Sequence, residues 1–147
     1  MRRRKKDGAL QGRFIMGLTN QPITKLLPLA KSWLQAANLK INGEAFSSES
    51  YSRNERAYIL SRNISGSAKV LELEIIASEK SPVVNPAFVI KNWGTADAVL
   101  KINGKNISRG KDFRFGHRHR LEGSDLIVWI KVESTEPIKI SLESVAN

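Results

Sequence analysis

The chain has 147 residues, 41% of them hydrophobic and 26% charged, which suits one domain with its own core rather than a disordered segment. It contains no cysteine, so disulfides, thiolate metal sites and a cysteine nucleophile are excluded. The formal charge is +10; Arg2, Arg3, Arg4, Lys5 and Lys6 carry half of it, and the remaining 19 basic and 14 acidic residues leave +5.

The basic start reads as a solvated tail. It is not a secretory signal, because Asp7-Gly8 follows the cations at once and the apolar run Phe14–Leu18 is too short. No stretch of about 18 apolar residues occurs, so no membrane-spanning helix is expected. The expectation is a cytoplasmic protein, or a piece of a longer chain whose leader lies elsewhere; the parent would then be extracellular or periplasmic if it is a secreted enzyme. Residues 1–37 read as tail and connector, interrupted by Gly8, Gly12, Gly17, Pro22 and Pro28. Within them Pro28–Ala37 offers a short helix with proline in its first turn and Leu29, Trp33, Leu34 and Ala37 on one face. The alternative is an extended linker that docks Leu26, Leu27 and Trp33.

From Leu39 the hydrophobic period changes to two, and residues 38–147 read as the folded domain. Leu39-Lys-Ile-Asn-Gly is a short strand with a turn. Arg56–Arg62 sets Tyr58 and Leu60 against Ala57 and Ile59. Lys69–Ser78 sets Leu71, Leu73 and Ile75 against Glu72 and Glu74, the pattern of a half-buried antiparallel strand. Pro82 and Pro86 make a stiff crossover. Five more runs follow: Ala87–Trp93, Ala98–Ile102, Phe113–Leu121, Asp125–Val132 and Ile138–Leu142. Asp125–Val132 is apolar on both faces and belongs inside a sheet. About eight short strands with frequent turn signals predict an all-β fold, an antiparallel two-sheet β-sandwich. The word Leu-Lys-Ile-Asn-Gly occurs at 39–43 and again at 100–104; both copies read as hairpin turns, since Asn and Gly tolerate positive φ.

The best candidate for chemistry is Phe113-Arg-Phe-Gly-His-Arg-His-Arg-Leu. Alternation places Phe113, Phe115, His117, His119 and Leu121 on one face, and Arg114, Arg118 and Arg120 on the other. Between Lys91 and Arg120, eight basic residues face two acidic ones, a local +6. Guanidinium forks suit carboxylates, sulfates and phosphates. Lys91 belongs to the same basic segment, and Trp93, beside Gly94 at a strand end, would offer a stacking face to a sugar ring. The competing reading pairs the arginines with Glu72, Glu74 or Glu133 on neighbouring strands. His117 and His119 form an HxH that a metal could use only with a third ligand, Asp112, Glu122 or Asp125. Tyr51, Tyr58, His117, His119 and Glu122 are the residues an acid–base enzyme would draw on, but no motif links them. No cofactor signature is present: there is no GxSxG, Walker loop, dinucleotide fingerprint or HExxH. Asn63-Ile-Ser and Asn106-Ile-Ser are glycosylation sequons, relevant in a eukaryotic secretory setting.

The hairpin Val99-Leu-Lys-Ile-Asn-Gly-Lys-Asn-Ile, followed by Asp125-Leu-Ile-Val-Trp-Ile-Lys-Val, resembles the accessory β-sandwich modules that sit beside catalytic domains in bacterial carbohydrate-active enzymes. The resemblance spans roughly residues 87–142 at the level of fold and hairpin. It implies an accessory role and sugar binding, and it carries no catalytic residues. The expectation is therefore a non-catalytic module that packs on a neighbouring domain, binds an acidic polysaccharide, or both. Its ligand residues would be Arg114, Arg118, Arg120, Trp93 and Lys91. A nucleic-acid-binding module using the same basic face is the first alternative. A small enzyme or metal site at His117 and His119 is the second.

Overall fold

The computed structural model describes residues 21–63 and 69–146. The expected basic tail, the first half of the connector and most of the first sequon lie outside the described residues.

The first element is a helix, α1 (Ile23–Leu34). It begins earlier than expected and places Pro28 inside rather than at its start. Proline there removes one internal hydrogen bond. The helix persists because it packs: Leu26 and Ala30 are buried, and α1 lies against the short strand β5 described below. The Gln35 N–H closes the last turn on the Lys31 carbonyl at 2.7 Å.

The rest of the described chain is mostly β. The strands are β1 (Asn38–Ile41), β2 (Phe46–Ser52), β3 (Ala57–Arg62), β4 (Val70–Ile76), β5 (Val83–Val84), β6 (Ala87–Lys91), β7 (Asp97–Ile102), β8 (Lys105–Ile107), β9 (Phe113–Arg120), β10 (Gly123–Ile130), β11 (Glu133–Ser134) and β12 (Ile138–Val145). All eight expected runs are strands, but four more appear: β2, β5, β8 and β11. One five-stranded sheet has the order β1-β4-β12-β7-β8, and a second has the order β2-β3-β6-β10-β9; β5 and β11 pair separately. Every pairing is antiparallel except β3 with β6, which makes the second sheet mixed.

Both five-stranded sheets feed one core. Leu71, Leu73, Ile75, Leu100, Ile140 and Leu142 come from the first sheet; Leu60, Phe88, Ile90, Phe113, Leu126, Val128 and Ile130 come from the second. Alternation puts them on the inner faces, and each buried large side chain stabilises the fold by roughly 1.5–3 kcal/mol. Ala57, Ile59 and Val89 form a smaller buried cluster on the opposite face of the second sheet. As its double-sided apolar pattern predicted, β10 is an interior strand, flanked by β6 and β9.

The two Leu-Lys-Ile-Asn-Gly copies do different jobs, which corrects the expectation of two hairpins. Asn103 (φ 50°) and Gly104 (φ 84°) form the tight β7–β8 hairpin. Asn42-Gly43 instead carries the chain from β1 in one sheet to β2 in the other. Asn103 is further anchored: its Oδ1 accepts the Lys139 N–H at 2.9 Å.

Candidate functional site

The β9–β10 hairpin builds the main polar cluster. Its turn, Leu121-Glu122, sets the register so that Arg120 faces Gly123, Arg118 faces Asp125 and Arg114 faces Trp129. Arg114, Arg118 and Arg120 therefore do share one face with Asp125 and Trp129, the outer face of the second sheet.

On that face Arg118 and Arg120 converge on Asp125, whose side chain is 0% exposed. Arg120 grips it side-on, with Nε 2.8 Å from Oδ2 and Nη2 2.7 Å from Oδ1. Arg118 adds Nε and Nη2 to Oδ2 at 3.4 and 3.2 Å. The Asn92 N–H donates to Oδ1 at 3.3 Å, and Asn92 Oδ1 accepts from Arg120 Nη2 at 3.3 Å. Asn92 can do both because it sits at φ 64°, a left-handed turn that asparagine tolerates. Burial pushes the Asp125 carboxyl up, but the hydrogen bonds from Arg120, Asn92 and Arg118 outweigh it and hold the group below the ordinary aspartate range. The same carboxylate holds Arg120 further above its usual value. A carboxylate with five donors and no solvent access is neither a base nor a ligand; it is a clamp.

The remaining expected pairings are corrected as well. Arg118 also reaches Glu55 (3.5 Å), Arg120 reaches Glu122 (3.6 Å) and Lys91 reaches Glu49 (3.0 Å). The acids are thus Asp125, Glu55, Glu122 and Glu49, not Glu72, Glu74 or Glu133. Glu72 and Glu74 point outward from β4, on the other sheet, and Glu133 lies on β11. Trp93 is 2% exposed and offers no stacking face. The left-handed turn at Asn92 sends its ring into the core against Phe46, and its Nε1–H donates to the Ala96 carbonyl at 3.0 Å. Trp129, in the run read as apolar on both faces, is half-buried on the outer face with the Arg114 guanidinium 5.1 Å above its ring.

His117 and His119 lie side by side, their rings parallel within 10° and 6.4 Å apart. His117 Nε2 is 2.8 Å from the Ala96 carbonyl oxygen, which only accepts, so Nε2 carries the hydrogen. His119 Nδ1 is 2.7 Å from Ser124 Oγ. Among the described residues no three His, Asp or Glu side chains come together as a metal site, and Asp112, Glu122 and Asp125 do not join the histidines. Tyr58 is buried, its hydroxyl donating to the Ala37 carbonyl at 2.7 Å. Burial, with Tyr51 beside it, raises its pKa well above the ordinary phenol value.

A second basic group emerges at the start of the same hairpin. Arg109 lies 3.6 Å above the Phe115 ring and donates to the Phe115 carbonyl at 2.8 Å. Arg114 Nε reaches the Gly110 carbonyl at 3.4 Å, and the Lys131 N–H donates to the Asp112 carbonyl at 2.9 Å. Arg109, Lys111, Arg114 and Lys131 thus lie around one corner of the second sheet, all four exposed, with Arg114 on its outer face and Arg109 over Phe115 on the other face. None of them forms an ion pair among the described residues, unlike Lys91, Arg118 and Arg120. Alternation singles out Arg114; Arg109 and Lys111 enter the sequence reading only in the charge count of Lys91–Arg120, and Lys131 lies outside that segment. The available signal was the cation-rich loop Lys105–Lys111 leading into the arginine strand. No family model, curated protein or solved structure matches the chain.

Proposed function

We propose that this chain is a non-catalytic β-sandwich module that works beside another domain of a longer protein. In this reading it binds an acidic polysaccharide at the corner formed by Arg109, Lys111, Arg114 and Lys131. The β7–β8 hairpin and the apolar β10 are the elements that resemble accessory modules of carbohydrate-active enzymes. One observation carries the choice of site: the cations at this corner have no acidic partner among the described residues, whereas those further along β9 are neutralised from within. A ligand carboxylate reaching Arg118 or Arg120 must displace one fixed in the same molecule. A ligand at Arg109 or Arg114 displaces no such carboxylate, since their contacts there are to the Phe115 and Gly110 carbonyls. Both guanidinium groups are also held against aromatic rings, Phe115 and Trp129, so less side-chain freedom is lost on binding.

The test is titration with a panel of uronate-containing and sulfated glycans. Arg109→Ala, Lys111→Ala, Arg114→Ala and Lys131→Ala combined should weaken binding at least ~10-fold, since each charge-assisted contact is worth about 1.5–3 kcal/mol when desolvated. Binding should weaken as salt rises. Unchanged affinity in the combined variant, or no binding by the parent to any member of the panel, overturns the reading. Tighter binding of a labelled single-stranded nucleic acid than of any glycan would assign the corner to phosphates instead.

A further inference from the structure

Helix α1 turns one face inward and leaves another bare. Leu26 and Ala30 are 3% and 9% exposed, but Ile23, Leu27 and Leu34 are 43%, 48% and 39% exposed. At 3.6 residues per turn, positions 23, 27 and 34 fall within about 40° of one another, so they form a single apolar stripe.

Cations lie on the helix and at its end. Lys31 stands about 40–80° round α1 from the stripe, whereas Lys25 falls on the opposite side. The β2–β3 turn adds two arginines at the end of the helix. Arg53 Nη2 donates to the Leu34 carbonyl at 2.9 Å, and the Arg56 guanidinium covers the Trp33 ring at 3.8 Å. None of these four cations is in an ion pair among the described residues, and the acid of that turn, Glu55, is engaged with Arg118. The sequence reinforces the sign. Residues 1–43 hold nine lysines and arginines against one aspartate, a net +8 of the chain's +10. No acidic residue occurs between Asp7 and Glu44.

The geometry points to α1 as a docking element for an anionic lipid surface. Ile23, Leu27 and Leu34 enter the boundary between headgroups and acyl chains, and Lys31, with Arg53 held at the Leu34 carbonyl, lies over anionic headgroups. Charge alone would suit any polyanion. The apolar stripe decides, because a nucleic acid or glycan backbone has no apolar layer to receive it. A membrane interface provides negative charge and hydrocarbon within about 5–10 Å of each other. The helix lies on the surface and does not span it. Its 12 residues reach about 18 Å, against a hydrocarbon core of about 30 Å, and no described helix is long and apolar enough to cross. This surface is separate from the Arg109–Lys131 corner, so either can fail without the other.

The test is co-sedimentation of the full chain with vesicles of phosphatidylcholine alone and of an equal mixture of phosphatidylcholine and phosphatidylglycerol. The protein should sediment with the mixed vesicles and stay in solution with the neutral ones. Lys31→Ser should weaken partitioning by about fivefold, the value of one basic residue near an anionic surface, while Lys25→Ser, on the far side of the helix, should change it less. Ile23→Ser with Leu27→Ser keeps the charge and changes only exposed positions, and it should still reduce binding at least several-fold. A thermal melt of each variant separates loss of docking from loss of fold. No sedimentation with the mixed vesicles overturns the proposal. So does binding that the apolar double variant leaves intact, because simple charge attraction would then account for it. A single-stranded RNA bound as tightly as the mixed vesicles would likewise replace lipid as the occupant.

Discussion

Replacing Asp125 with asparagine isolates the clamp on the outer face of the second sheet. Asp125→Asn keeps the volume and one acceptor oxygen, but removes the charge and turns an NH2 group towards guanidinium donors. The loss has two parts. Arg120 no longer has the side-on grip at 2.7 and 2.8 Å, and Arg118 loses its contacts at 3.2 and 3.4 Å. Breaking a buried pair costs about 3–5 kcal/mol when the orphaned charge stays buried. Here the arginines are 45% and 31% exposed and can turn to water, so solvent screening lowers the figure to about 2–3 kcal/mol. For a domain of this size, that is a melting-point drop of roughly 5–10 °C. The pH dependence supplies the sharper check. The folded carboxyl titrates below its unfolded value of about 3.9, so its contribution is complete above that value and is lost as pH falls through the lower folded value. Thermal melts of parent and variant should therefore differ by a constant amount near neutrality and converge only below about pH 4. A difference under about 0.5 kcal/mol at pH 7, or a gap that closes between pH 6 and 8, would refute the clamp.

Two other substitutions probe the frame around it. Gly104→Ala meets no atom within 4 Å but must adopt φ +84°, so it should cost about 1–2 kcal/mol by denaturant titration from backbone strain alone. Leu100→Ala, at a fully buried position on β7, should cost about 3–5 kcal/mol in the same assay, with the transition still cooperative.

The sequence was informative wherever period and turn chemistry agreed. Alternation in Phe113–Arg120 separated the arginines from the phenylalanines, and the double-sided apolar run of β10 marked an interior strand. Both Asn-Gly pairs read as hairpins, but only Asn103-Gly104 makes one; at 42–43 the next strand joins the other sheet. That choice belongs to the tertiary packing of β2, and β2 itself was hidden. Its Phe-Ser-Ser-Glu-Ser-Tyr-Ser has no apolar alternation, and it is held at the sheet edge by β3 alone. The parallel pairing of β3 with β6 was equally silent, since strand order leaves no mark in local pattern. Trp93 shows the limit of reading exposure from a neighbouring glycine. The turn at Asn92 decides where that ring goes, and a left-handed asparagine cannot be told from an ordinary one by spacing.

Asp125 is the most instructive residue, because its role was within reach of counting. At the head of an apolar run, it entered the sequence reading only as a candidate third metal ligand. With a two-residue turn at Leu121-Glu122, the pairing runs Arg120 to Gly123, His119 to Ser124 and Arg118 to Asp125. An acid placed directly across from one arginine and diagonal to another on the same face is the first partner to consider, ahead of glutamates on distant strands. That register also explains why the basic stripe divides in two. Arg118 and Arg120 stand opposite the acid-bearing start of β10 and are consumed by it, while Arg114 stands opposite Trp129, where there is no carboxylate. The cations left without an acidic partner among the described residues are then Arg114 on this face and Arg109, Lys111 and Lys131 around the same corner of the sheet. A polyanion approaching the outer face finds an unneutralised guanidinium at Arg114, whatever the total count of arginines on β9.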